Sequence, residues 1–282
     1  MSRPLREVTT YLVLAFAMAV GIAAALPHAG IGVLLSAMIP ITTVLVITAT
    51  TPRGGRRALW AGFGLNRSGR RVWPIALLVP VLLSGLAYGA AVVLDVAELR
   101  DWNSSHGLLW WALNIVTTLA SMTVLFVGEE IGWRGYLLPR LQQLTSRRRA
   151  ALVAGLAHGC FHLPLILIAT TYDEFGSRWF VAPMVVATLT LGGVFYAYLW
   201  DRTGSVWPVA MAHGAINSAF GWGAAAVVGS QTDLAYVAGE SGVATFGVVA
   251  VLGALLLARA EVWRTRRSTV PTPEPGLLSS AS

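Results

Sequence analysis

Glu129 and Glu130 stand side by side at the end of a long apolar run, and Arg134 follows four residues after the second of them. On a helix, Glu130 and Arg134 share a face and can pair, with the glutamate on the favourable N-terminal side. Glu129 is turned by about 100° from its neighbour and is not tied to the same arginine by spacing. One carboxylate thus has a built-in counter-ion, and the other is left for acid–base work. An apolar setting strengthens a carboxylate as a base near neutral pH. Two further doublets are spaced by four, His158 with His162 and His213 with Asn217. Each doublet projects two polar groups from one face of an apolar segment. Ionisable groups at membrane depth are rare and face the interior of a bundle, the one place where three such faces can satisfy one another.

Each group also has a plainer reading. A lone histidine in a span is more often an interhelical hydrogen-bond partner than a catalyst, and helix-end glutamates can reach the headgroups beside an arginine. The coincidence of three doublets, with almost no other ionisable residue at that depth, favours a shared site.

Composition identifies the elements that must carry these groups. The chain has 282 residues, 56% of them apolar and 12% charged, and a mean hydropathy of +0.67. Soluble domains carry about 25% charged residues, so this is an all-α, polytopic membrane protein. Apolar runs of spanning length are Tyr11–Leu26, Gly30–Thr50, Val72–Leu94, Leu108–Val127, Ala150–Thr170, Trp179–Trp200, Ser205–Val228 and Val243–Ala258. They predict a bundle of about eight transmembrane helices.

The net charge of +7 comes from arginines alone, grouped in short loops rather than in a nucleic-acid-binding patch. Arg53–Arg71, Arg134–Arg149 and Arg259–Arg267 alternate with loops holding Asp95, Glu98 and Asp101, then Asp173 and Glu174, then Asp233 and Glu240. That alternation predicts both termini in the cytoplasm and a multi-pass protein of the plasma membrane. The single cysteine, Cys160, excludes an intrachain disulfide and a multi-cysteine metal site. Residues 1–267 read as one transmembrane domain, 136–144 as a helix lying on the cytoplasmic interface, and the Pro- and Ser-rich 268–282 as a disordered cytoplasmic tail.

Counted by helical rise, His213 lies about 13 Å into its span and His162 about 20 Å. Glu129 falls near the cytoplasmic edge, where a pocket open to that side would admit water. Tilt or a late helix start is needed to bring these levels together. Pro164 is placed to bend the helix that carries His162.

Glu129-Glu130-x-x-x-Arg134, His162 and His213-x-x-x-Asn217, in that order on separate spans, resemble the three motifs of the CPBP family. These are the CAAX-protease and bacteriocin-processing membrane proteases. The resemblance covers roughly residues 122–220. It implies an intramembrane endopeptidase in which Glu129 and His162 activate water, while His213 and Asn217 donate hydrogen bonds to the oxyanion. Glu130 and Arg134 complete the site. The implied partners are membrane lipid and a peptide or protein substrate, a lipidated C-terminus among the candidates.

The residues form a complete metal-free acid–base set, which is the favoured reading. Zinc held by Glu129, His162 and His213 is the alternative, since all three are ligands in kind. A non-catalytic peptide-binding or bacteriocin-immunity protein using the same cavity is the rival function. His158 stands where the family usually has Phe, which reads first as an aromatic packing swap and second as an added polar group. His158 and His162 have the spacing of a zincin helix, but Gly159 replaces the glutamate that such a helix needs.

Overall fold

Why the polar doublets can meet follows from how the apolar segments fold. The computed structural model describes residues 1–28, 30–101, 107–169 and 176–264. The expected tail 268–282, Arg266, Arg267, Asp173 and Glu174 lie outside them. In lipid every backbone polar group must be satisfied within the segment, and the chain is accordingly all-α in architecture. The helices are α1 (Arg3–Ala25), α2 (Ile31–Thr50), α3 (Arg53–Ala61), α4 (Trp73–Val93) and α5 (Leu108–Glu130). A π-helical segment, Ile131–Leu137, leads into α6 (Leu138–Leu144). Then follow α7 (Arg147–Phe161), α8 (Leu163–Leu167), α9 (Arg178–Thr203), α10 (Trp207–Ala226), α11 (Gln231–Val237) and α12 (Val243–Arg259). A two-residue antiparallel pairing of Glu98–Leu99 with Val227–Val228 ties two loops and ends the expected seventh span two residues early.

Six helical stretches among the described residues are long and apolar enough to cross a membrane. The other two expected spans are helices that fall below those limits. The helix α12 has 17 residues, and α10 carries His213 and Asn217, whose polarity lowers its hydropathy.

The helix bearing the glutamates departs most from expectation. It continues through the π-helical segment, so that Leu109–Leu144 forms one continuous 36-residue helical stretch. Residues 136–144 are therefore not a separate interfacial helix; Tyr136, Leu137, Leu138 and Leu141 are buried in the main core. Gly132 lies against Pro40, midway along α2, where a Cβ would come within 2.5 Å of the proline's own Cβ. Glu129 accordingly sits at the level of the middle of α2, not at the cytoplasmic edge. The mismatch in depth disappears because the apolar run ends at Val127 while the helix does not.

Small residues bring the other helices to the same level. A Cβ on Gly193 of α9 would lie 2.6 Å from the Cα of Gly155 on α7, and one on Gly214 of α10 would lie 2.8 Å from the backbone N of Thr123 on α5. Such contacts replace the hydrophobic driving force that helices lack inside lipid. The helix after the arginine cluster breaks at His162, and Pro164 opens the short α8.

Enlarging a contact glycine should separate a helix pair. Gly155→Leu is expected to lower the thermal unfolding midpoint in detergent, at an overpacking cost of about 1–3 kcal/mol or more. Gly221→Ala is the control, because nothing lies within 4 Å of its Cβ position. Equal midpoints for the two variants would refute the close α7–α9 packing.

Candidate active site

Glu130 is fully buried and Arg134 is 1% exposed. Nη1 of Arg134 donates to both oxygens of Glu130 at 3.0 Å, the pairing that their spacing predicts. The guanidinium also lies over the Tyr196 ring, 4.7 Å from its centroid. A partner that spacing cannot reveal comes from α10: Nδ1 of His213 lies 2.8 Å from Glu130 Oε1. Since that oxygen belongs to an arginine-paired carboxylate, His213 donates through Nδ1 and keeps a lone pair on Nε2. The imidazole is held between Phe126, stacked at 3.8 Å, and Tyr196, at 5.4 Å.

Glu129 points elsewhere, as the rotation between neighbouring residues requires. Its Oε2 is 3.3 Å from Nε2 of His158. The other nitrogen of His158, Nδ1, lies 3.3 Å from Nη1 of Arg134. The His158 ring also stacks on Trp133, with centroids 5.0 Å apart and 26° between planes. The packing reading of this position is thus correct for the ring and incomplete for its nitrogens. Its environment could not be read from the sequence because Glu129 and Arg134 reach it from another helix.

Glu129, His162, His213 and Asn217 all line one cavity of about 420 Å³ with a mainly apolar wall. His162 reaches it from the break between α7 and α8, with its ring 5.5 Å from that of His158. Asn217 donates one amide hydrogen to the carbonyl of His213 at 3.1 Å, and the second hydrogen remains for another acceptor. The cavity extends to Val33 and Leu34 near the start of α2 and to Thr245 near the start of α12. Those ends are opposite to the arginine-rich loops. On the side of those loops the buried Trp133, Tyr136, Leu137 and Leu138 fill the space below Glu129.

Among the described residues, Glu129, His158 and His213 each offer a ligand atom within 4.8 Å of the others. His158 takes the place in this trio that the zinc alternative gives to His162. The surroundings suit one of the two imidazoles. His213 gives Nδ1–H to a carboxylate, the usual orienting partner of a zinc-binding histidine. His158 instead faces a guanidinium, which has no lone pair, so its Nδ1 must accept and its proton must sit on Nε2. A protonated Nε2 has no lone pair for a metal. As hydrogen-bonded here, the trio does not fit a three-ligand metal centre.

Comparison with known proteins locates this architecture. Residues 108–219 match the family model described as type II CAAX prenyl endopeptidase Rce1-like. A curated relative, CAAX prenyl protease 2 of Methanococcus maripaludis, is 26% identical over 122 residues, 42% of this chain and 42% of the relative. The chain therefore matches less than half of that relative's length. Both the α5–α7 segment and the His213–Asn217 doublet fall within the matched residues.

Removing one partner of a buried ion pair leaves the other charge uncompensated, a loss of about 3–5 kcal/mol. Glu130→Ala should therefore lower the unfolding midpoint in detergent sharply. Glu129→Ala, which leaves the Glu130–Arg134 pair intact, should lower it far less. A Glu130→Ala protein as stable as the parent would show that the pair does not hold the bundle together.

Proposed function

We propose that this chain, whose residues 108–219 match the family model of the Rce1-like type II CAAX prenyl endopeptidases, hydrolyses a peptide bond at membrane depth. The observation that carries this reading is the convergence of Glu129, His162, His213 and Asn217 on one cavity. Glu129 takes a proton from water, His162 positions that water, and the resulting hydroxide attacks the carbonyl carbon. The developing oxyanion is met by the second amide hydrogen of Asn217. His213 shares this wall; with its Nδ1–H given to Glu130, its Nε2 is an acceptor, so the oxyanion donor is Asn217. The C–N bond then breaks as the leaving amine takes the proton held by Glu129. No step is assigned to a metal.

A peptide substrate suits the cavity wall. Ser36, Thr188 and Thr245 line it, and their buried hydroxyls have no hydrogen-bond partner among the described residues. Buried unpaired polar groups are costly, and the amides of an extended peptide would supply the missing partners. The largely apolar remainder suits a hydrophobic or lipidated segment. We place the protein in the plasma membrane as a multi-pass chain of one transmembrane domain with both termini in the cytoplasm. Membrane lipid and the peptide substrate are its partners.

The test is cleavage of lipidated and unlipidated peptides by the protein in liposomes. Glu129→Ala and His162→Ala should abolish cleavage while the protein remains folded, and full activity in either defeats the reading. Asn217→Ala should lower kcat by about 10²–10³-fold, the worth of an oxyanion donor. Glu129→Gln tells against the non-catalytic rival if it removes function, because shape and hydrogen bonding survive. Thr188→Val and Thr245→Val should raise KM with kcat kept; an unchanged KM removes the hydroxyls from substrate binding. Purified protein should carry substoichiometric zinc and keep its activity in chelator. Loss of activity restored by zinc alone would overturn the metal-free mechanism.

A further inference from the structure

We infer that His158 is a positioning residue for the proposed base, with its tautomer set by Arg134 so that Nε2–H holds one oxygen of Glu129. This inference rests on the hydrolytic reading above. His158 is 1% exposed, so neither nitrogen can turn to bulk water for a partner. Its Nδ1 lies 3.3 Å from Arg134 Nη1, a group that can only donate. A proton on Nδ1 would set donor against donor, and an imidazolium would add a positive charge beside the guanidinium. The neutral ring with its proton on Nε2 satisfies both constraints. Nε2 then meets Glu129 Oε2 at 3.3 Å.

The contact is long, and Nε2 does not make a well-aligned hydrogen bond in this state. Apo sites often tighten such contacts when substrate binds. Stacking on Trp133 fixes the plane of the ring. The result is a relay from Glu130 through Arg134 and His158 to Glu129, in which the buried ion pair orients a group that it does not touch. Holding Oε2 leaves Oε1 to meet water. A phenylalanine at 158 would keep the ring stack and lose the donor, leaving the Glu129 carboxylate free to rotate.

Two measurements test this. The first needs no substrate. In protein carrying ¹⁵N- and ¹³C-labelled histidine in nanodiscs, the His158 signals are those lost in His158→Phe. They should report a neutral Nε2–H ring, and an Nδ1–H or doubly protonated ring would overturn the inference. The second uses the peptide assay. His158→Phe should keep its fold and KM and lose about tenfold in kcat, the scale of one lost hydrogen bond in the barrier. His158→Gln, whose amide can donate toward Glu129, should recover most of that loss. A wild-type kcat in His158→Phe, or equal losses in both variants, would overturn the positioning role and leave the protease reading intact. Absence of cleavage by the parent protein would instead count against that reading, and the tautomer measurement would still judge His158.

Discussion

A carboxylate and a guanidinium removed from water inside a membrane bundle set the terms for the rest of the structure. Each charge costs several kcal/mol to desolvate, and the pair is tolerated only if geometry and further hydrogen bonds compensate it. Here the compensation comes from several helices: Glu130 from α5, Arg134 from the π-helical segment, the N–H of His213 from α10 and the Tyr196 face from α9. None can shift by a turn without stranding a charge. The ion pair therefore acts less as a source of stability than as a device that sets the register of its neighbours.

Close approach of the backbones makes that device possible. An arginine side chain in the π-helical segment reaches α7 and α9 only because Gly155 and Gly193 let those helices nearly touch. Bulk at either position would widen the gap and leave the guanidinium short of its partners. Glycine carries an intrinsic penalty within helices, about 1 kcal/mol relative to alanine in water, and close packing offsets it here. Packing and electrostatics are thus one arrangement.

Much of this was legible in the sequence, for reasons that explain what was not. Lipid forces helices, so apolar runs mark them, and a spacing of four puts Glu130 on Arg134 and His213 near Asn217 on one face each. Hydropathy, however, scores a residue's composition and is blind to its burial. The stretch from Gly128 to Leu144 contains two glutamates and two arginines and reads as an exit from the membrane, yet its first half is buried among α1, α2 and α7. The same blindness hides α10, whose His213 and Asn217 lower its score. Contacts between helices, such as His213 with Glu130 or His158 with Glu129, depend on relative rotation, about which spacing within one helix says nothing. The level of Glu129 is hidden for a related reason: the apolar run stops before the helix does, and Gly132 packs against the middle of α2.

The adjacency of the two glutamates now has a physical meaning. Neighbouring residues on a helix diverge by about 100°, enough to send one carboxylate into the ion pair and the other to the cavity wall. A single glutamate could not serve both ends, because both oxygens of the carboxylate gripped by Arg134 and the His213 N–H are already engaged. Two glutamates further apart would lie at different depths or on the same face, and would compete for Arg134. Side by side, they let the ionised, fully paired carboxylate build the walls of the site. Its neighbour lines the cavity, with the oblique contact of His158 to steady it. The ion-paired carboxylate and the cavity-facing one are neighbours in the chain, and the helix keeps them apart.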